Sequence, residues 1–266
     1  MKGILAEIVE NKKQEVERRK QVRPLEELIE ASKTMPPARD FHAALRRGGG
    51  PMRLLAEIKT ASPSTGTIRA DIDPGAIAAL YESCGAAAIS VLTDARYFNG
   101  SDAHLEEARA AVSVPVLRKD FTIDAYQLYE SRVIGADAVL LMAQVLSGEV
   151  FAMLYRQARS MGLQVLAEGH TPEQIEFLVS LGAEVIGINN RDFETMTVDI
   201  QTTLKNRALI PPDRVLVSQS GVSRREDVIR LEEAEVDAIQ VGTSLMRNQN
   251  IRKQLAELMG RPPDAV

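Results

Sequence analysis

The chain has 266 residues, 45% of them hydrophobic and 26% charged, with a formal net charge of −5, a balance that suits a soluble globular body with a sizeable core and excludes a disordered segment. The acidic excess, the 4% aromatic content and the lack of a long basic run argue against a nucleic-acid surface, which needs clustered Lys and Arg. Cys84 is the only cysteine, so an internal disulfide is impossible, and it reads as an inert buried thiol.

The chain opens with MKGILAEIVENKKQEVERRK, amphipathic and rich in both charges, without the apolar core of a signal peptide. No apolar run reaches the roughly 18 residues of a membrane span, so a cytoplasmic protein without membrane contact is expected. Helices are predicted over 2–20, 24–33 and 39–47, punctuated by Pro24, Pro36-Pro37 and the break Gly48-Gly49-Gly50-Pro51. The basic run Arg18–Lys20 alternates with Glu15 and Glu17 and reads as a solvated helix face. Residues 1–50 are therefore expected to be a helical extension packed on a body formed by 51–266, the whole making one domain.

From Leu54 onward, eight Val/Ile/Leu/Ala-rich runs alternate with longer amphipathic segments: 54–59, 87–93, 114–120, 136–142, 163–169, 184–190, 214–221 and 237–243. Parallel strands joined by crossover helices read this way, because such strands are buried on both faces. The spacing of roughly 25 residues fits a strand, a helix and two short loops. Asp73-Pro74 and Thr171-Pro172 have the look of helix starts, and Gly-Ala recurs before three of the runs in CGAAAI, IGADAV and LGAEVI. A doubly wound sheet is the alternative, but no G-x-G-x-x-G follows the first run. The predicted fold is an α/β protein of the (β/α)8 TIM-barrel class with an N-terminal helical extension.

Barrels of this kind carry their chemistry at the C-terminal strand ends. In LLAEIKTASPS, Leu55, Glu57 and Lys59 share one strand face. Leu55 is expected inside the barrel, with Glu57 and Lys59 rising into a polar top layer. The equivalent positions are Lys119, Glu168, Asn189, Gln219 and the pair Gly242-Thr243. Alone, each has an ordinary structural reading, such as a solvated strand end or a turn in the case of Asn189. Convergence from several strands points to a catalytic or binding centre. Small residues after the seventh and eighth runs, in SGVSRRED and VGTSLMR, suit a phosphate held by backbone N–H groups. SPSTG (Ser62–Gly66) is a polar loop after the first run. His42, His104 and His170 read as structural or exposed, and no His, Cys and carboxylate set has metal-ligand spacing.

The stretches AEIKTASPSTG, SVLTDARYFNGS, VLRKDFTIDAYQ, GINNRDFETMTVD and VGTSLMR make the chain similar to the indole-3-glycerol phosphate synthase family of tryptophan biosynthesis, from the extension to SLMRN. The resemblance implies a carboxy-lyase that cyclises, decarboxylates and dehydrates 1-(2-carboxyphenylamino)-1-deoxyribulose 5-phosphate without metal or organic cofactor. By it, Lys119 is the main general acid and Glu168 its acid/base partner. Lys59 serves phosphate binding or dehydration, Glu57 orients the lysines, and Asn189 is the catalytic asparagine. Ser62, Ser220, Gly221, Gly242 and Thr243 would hold the phosphate. Pro63, Phe98, Phe121, Leu140, Met142, Phe193 and Met196 would line the slot for the aromatic ring, and Arg191 and Gln219 would also bind the substrate. The only partner implied is the phosphorylated small molecule; a monomer is favoured over an oligomer.

The chain departs from the family pattern at Thr60, Gly169 and Gln240, and at Gln219, where the family carries Glu. Restoring a glutamate there is expected to raise turnover and move the basic limb of the pH profile upward. Two other readings stay open: a non-catalytic or impaired phosphate-binding relative, and a barrel like phosphoribosylanthranilate isomerase. The isomerase uses a Cys and an Asp, and Cys84 ends a helix rather than a strand.

Overall fold

A computed structural model describes residues 3–261. The first residue of the expected 2–20 helix and the last five of the expected 51–266 body therefore lie outside the described residues.

Eight strands match the eight predicted runs, seven lying inside them and the first starting one residue earlier: β1 (Arg53–Ile58), β2 (Ala88–Leu92), β3 (Val116–Lys119), β4 (Ala138–Met142), β5 (Gln164–Gly169), β6 (Val185–Asn189), β7 (Val215–Gln219) and β8 (Ala238–Val241). Each pairs with the next in parallel, and β1 pairs with both β2 and β8, closing the barrel. The SPSTG loop folds into a small antiparallel pair, Ala61–Ser62 with Gly66–Thr67.

Alternation along the strands builds two apolar layers. Leu55, Ala88, Leu117, Ala138, Leu166, Val185, Val215 and Ala238 pack together inside the barrel. Their sequence neighbours, among them Leu54, Ile89, Val139 and Leu216, face the surrounding helices. Burying each large aliphatic side chain contributes about 1.5–3 kcal/mol relative to exposure, and this sum supports the polar layer above. Helix ends follow the local chemistry: Asp73 accepts from the Ala76 amide at 2.7 Å, and Thr171 and Gln174 make a reciprocal capping box. The recurrent Gly-Ala turn places Gly85, Gly135 and Gly182 at φ of 82°, 85° and 80°, a left-handed stop that glycine adopts without a Cβ penalty.

The N-terminal segment comprises α1 (Gly3–Val22), α2 (Leu25–Lys33) and α3 (Phe41–Leu45). Asp40 caps α3 by accepting from Ala43 N, which starts the helix two residues later than in the expected 39–47, and extended backbone at Arg46 ends it two residues earlier. Phe41 and Leu45 join the barrel's inner cluster, and backbone amides of Arg39 and His42 donate to Asp137 and Gln164 beside the start of β4 and at that of β5. α3 thus closes the N-terminal mouth. α1 lies at the opposite end, where Leu5 and Ile8 pack in one cluster with Phe121.

Arg18–Lys20 is not one solvated face. Arg18 is exposed, but Arg19 reaches Glu15 at 3.0 Å, Asp102 at 2.6 Å and Glu130 at 3.1 Å, and Lys20 pairs with Asp124 at 2.8 Å. This side of α1 docks on the barrel, and a charge turned toward the protein needs a partner there. Lys12 goes further: it is 1% exposed and lies 3.0 Å from Asp94 and 2.8 Å from Asp120. Among the described residues no helix is long and apolar enough to cross a membrane.

Candidate active site

A cavity of about 480 Å³ opens at the C-terminal strand ends, within the size range of small-molecule sites. Glu57, Lys59, Lys119, Glu168, Asn189 and Gln219 form its polar floor, and Ser62, Ser220, Gly221, Gly242 and Thr243 edge one side. Pro63, Phe98, Phe121, Leu140, Met142, Phe193 and Met196 supply apolar wall, with Arg191 at the rim. Phe98 and Phe121 pack as a tilted aromatic pair with ring centroids 6.1 Å apart, giving the cavity one aromatic side. All the residues expected at the site from the sequence line this one space.

The floor is a continuous hydrogen-bonded chain. Lys59 Nζ lies 2.6 Å from Glu57 and Lys119 Nζ lies 3.1 Å from Glu168, so each lysine has its own carboxylate. Asn189 Nδ2 donates to Glu168 at 3.0 Å, and Gln219 Nε2 donates to the other Glu168 oxygen at 2.8 Å. Gln219 also donates to Gln240 Oε1 at 2.8 Å, and Gln240 Nε2 donates to Glu57. Burial alone would raise the Glu57 carboxyl. The charges of Lys59 and Lys119, with hydrogen bonds from Lys59 and Gln240, hold it below the ordinary carboxylate range. Glu57 therefore stays an anion able to orient lysines. Glu57 and Glu168 are 6% and 1% exposed, so water competes little with these contacts.

Asn189 is not merely a turn residue. Its Oδ1 accepts from the Arg191 amide at 3.0 Å while its amide group faces Glu168. The turn is built by Asn190, whose side chain donates to Ser218 and Ser220 and accepts from Thr203. His170 braces the strand ends by donating from Nδ1 to the Asn189 carbonyl at 2.7 Å. Arg191 contacts the Met196 carbonyl at 3.4 Å and no carboxylate among the described residues. Lys59, Lys119, Arg191 and Arg247 against Glu57, Asp120 and Glu168 leave the cavity lining with one cationic charge in excess, suited to an anion. Among the described residues no group of three or more His, Cys, Asp or Glu could hold a metal ion.

The profile described as indole-3-glycerol phosphate synthase matches residues 5–258. The chain belongs to that family. The indole-3-glycerol phosphate synthase of Geobacillus thermodenitrificans is 45% identical over 258 residues, covering 97% of each chain. That of Rhodopirellula baltica is 45% identical over 248 residues, covering 93% of this chain and 95% of the relative. Among solved structures, the tryptophan synthase a2b2 complex from Pyrococcus furiosus superposes with a TM-score of 0.58 at 14% identity, over 78% of this chain and 97% of that one. Thiamine phosphate pyrophosphorylase from the same organism gives 0.57 at 15%, over 79% and 94%. At such identities these two are alike in fold alone.

Family membership removes the isomerase reading, and the fold agrees: Cys84 is buried at the end of helix Pro74–Ser83 and takes no part in the cavity wall. Of the departures from the family pattern, Thr60 has a structural task. Its hydroxyl lies within hydrogen-bond reach of the Phe98 and Asn99 carbonyls, at 2.8 and 2.9 Å, tying the first loop to the Phe98 loop. The expectation for Gln219→Glu reverses. Gln219 donates to Glu168 and to the Gln240 carbonyl oxygen, so a carboxylate in its place would set acceptor against acceptor on both sides.

Some of the cavity's surroundings escaped sequence reasoning. Ser244 lines the cavity with a buried hydroxyl oxygen that has no partner among the described residues; its position one residue past Gly242-Thr243 was the available signal. Ile4 and Ile8 of α1 also line it, and nothing in the sequence indicates that α1 reaches this mouth. Asp120 enters the wall directly after Lys119, and the chain position alone does not reveal its partner Lys12.

Proposed function

We propose that the chain is an indole-3-glycerol phosphate synthase acting on 1-(2-carboxyphenylamino)-1-deoxyribulose 5-phosphate, with Lys119 as the general acid. The observation that carries this reading is the pair of lysine–carboxylate contacts, Lys119–Glu168 at 3.1 Å and Lys59–Glu57 at 2.6 Å, facing one cavity that also has an aromatic side and a glycine-rich edge. The aromatic ring sits between Phe98, Phe121 and the aliphatic wall, and the carboxylate of the ring faces Arg191. The phosphate lies against Ser62, Ser220, Gly221, Gly242, Thr243 and Ser244.

In this pose the ring carbon bearing the carboxylate attacks the ribulose carbonyl. Lys119 gives its proton to the carbonyl oxygen as charge develops on it. Carbon dioxide leaves with its bonding electrons returned to the ring. The new hydroxyl then departs as water with a proton from the Lys59 side, while Glu168 takes up the proton released by the substrate. Asn189 and Gln219 aim Glu168, and Glu57 aims Lys59. The protein works free of membrane and nucleic acid in this reading, as a monomer in the cytoplasm, with residues 1–50 forming an extension on a barrel of 51–266.

Mixing the purified protein with the carboxyphenylamino deoxyribulose phosphate should produce indole fluorescence. Substrate binding without fluorescence would replace this reading by that of a non-catalytic relative. The phosphate placement has its own test. Gly242 is unsuited to a bulky replacement, because a Cβ there would run into the Glu57 carboxylate and damage catalysis as well as binding. Ser244→Asp is cleaner: a carboxylate at this edge opposes a phosphate, and like charges brought together cost several kcal/mol. KM should rise at least about tenfold, about 1.4 kcal/mol, with kcat less affected and competition by inorganic phosphate weakened. An unchanged KM would place the phosphate elsewhere.

A further inference from the structure

Gln219 and Gln240 stand out in the cavity floor because their amides contact each other. Gln219 Nε2 has two hydrogens, and both are committed, to Glu168 at 2.8 Å and to Gln240 Oε1 at 2.8 Å. Gln240 Nε2 donates to Glu57, with Ser90 Oγ at 3.4 Å on its other side. The orientation of both amides is thereby forced, since turning either would put oxygen against oxygen. Gln219 Oε1 is left buried without a partner among the described residues. It lodges against Gly187, where any Cβ would collide with it. An unpaired buried acceptor is unfavourable, and its persistence marks the two N–H contacts as the dominant ones.

We propose that Gln219 and Gln240 are a coupled positioning pair, an uncharged amide bridge that aligns Glu168 with Glu57 across the barrel, so that neither glutamine aims its carboxylate without the other. The inference rests on the activity proposed above. The charged groups facing the bridge are Glu57 from β1, Lys59 directly after that strand, Lys119 from β3 and Glu168 from β5. Each carboxylate receives one lysine and one bridge amide, and the bridge adds no charge of its own. The two lysine–carboxylate units are thus locked in relative position, as a reaction with two separate proton donations requires.

The test is a cycle of Gln219→Met, Gln240→Met and the double variant, since methionine preserves length and removes only the hydrogen bonds. Each single variant should lower kcat about tenfold while leaving KM within about threefold. The double variant should fall within about threefold of the worse single one, instead of the hundredfold that independent effects would give. In Gln240→Met the acidic limb of the kcat profile should move upward, as Glu57 loses a donor to its ionised form. Independent, multiplicative losses, or an unmoved limb, would overturn the bridge.

A readout free of turnover uses Gln219→Glu. Its new carboxylate meets Glu168, and the touching pair holds a proton in the folded state that an unfolded glutamate releases near pH ~4.3. A group whose folded pKa is raised contributes stability at low pH that is lost as pH rises. The melting temperature of this variant should therefore fall increasingly below the parent's between about pH 5 and pH 8; a constant offset would overturn the proposal. If the parent itself fails to turn over, the proposed activity is wrong. The bridge is then judged by this melting series and by non-additive melting temperatures in the methionine cycle, additive values refuting it.

Discussion

Lys119→Ala is expected to lower kcat by about 10² to 10⁴-fold, the usual contribution of a positioned acid or base, with a melting temperature within about 4 °C of the parent's. The small thermal effect follows from what remains. Lys119 sits half-buried at the end of β3, so its removal leaves little core unfilled. Glu168 still receives Asn189 at 3.0 Å and Gln219 at 2.8 Å, and so is not abandoned without donors. The large kinetic effect follows from the absence of a substitute. Lys59 is engaged 2.6 Å from Glu57 on β1 and cannot deliver a proton to the same oxygen without leaving its partner. Steady-state kinetics with a melting curve on the same sample checks both halves. A variant keeping more than about a tenth of the parent's kcat would remove Lys119 from the acid role.

The barrel was legible because its strands are buried on both faces, which turns them into aliphatic runs separated by capped helices. The floor was legible for a related reason. Strand alternation carries Leu55, Glu57 and Lys59 up one face, and only a strand end at a wet mouth can leave two charges above a leucine. The amide bridge was not legible, although Gln219 and Gln240 both stood out as unusual. Gln240 meets Glu57 across 183 residues of chain, and the contact exists only because β8 closes onto β1 in the register Leu55 to Gln240. The charge run at Arg18–Lys20 failed for the same reason. A helix face that is solvated when read alone becomes an interface when tertiary folding lays Asp102, Asp124 and Glu130 against it. Local pattern fixes element type and face; it carries no information about which distant residue lies opposite.

Lys12→Met is expected to cost about 3–5 kcal/mol of stability, the usual cost of removing one partner from a buried ion pair, lowering the melting temperature by about 6–20 °C. The methionine fills the volume, so the loss reports charge. Lys12 lies 2.8 Å from Asp120 and 3.0 Å from Asp94, both fully enclosed. Burial alone would raise the Asp120 carboxyl, but Lys12 and Arg118 hold it far below its ordinary range. Burial would lower the Lys12 ammonium, and Asp120, Asp94 and Glu15 together raise it instead. The sign of the pH dependence follows. A depressed carboxyl contributes stability above its unfolded value near ~3.9 and loses it as pH falls through the folded one, whereas a raised lysine contributes below ~10.4 and loses it above. The gap between parent and variant should therefore be widest between about pH 4 and pH 10 and narrow toward strong acid. Turnover should suffer as well, because Asp120 follows Lys119 directly and Asp94 caps the short helix that carries Phe98. Two buried carboxylates without their cation would draw apart or admit water, displacing the proton donor and one wall of the ring slot together. Lys12→Arg, which keeps the charge, should recover a large part of both losses. A Lys12→Met protein that melts within about 2 °C of the parent, with a difference that does not vary with pH, would show that the buried pair neither holds α1 to the barrel nor sets the position of Lys119.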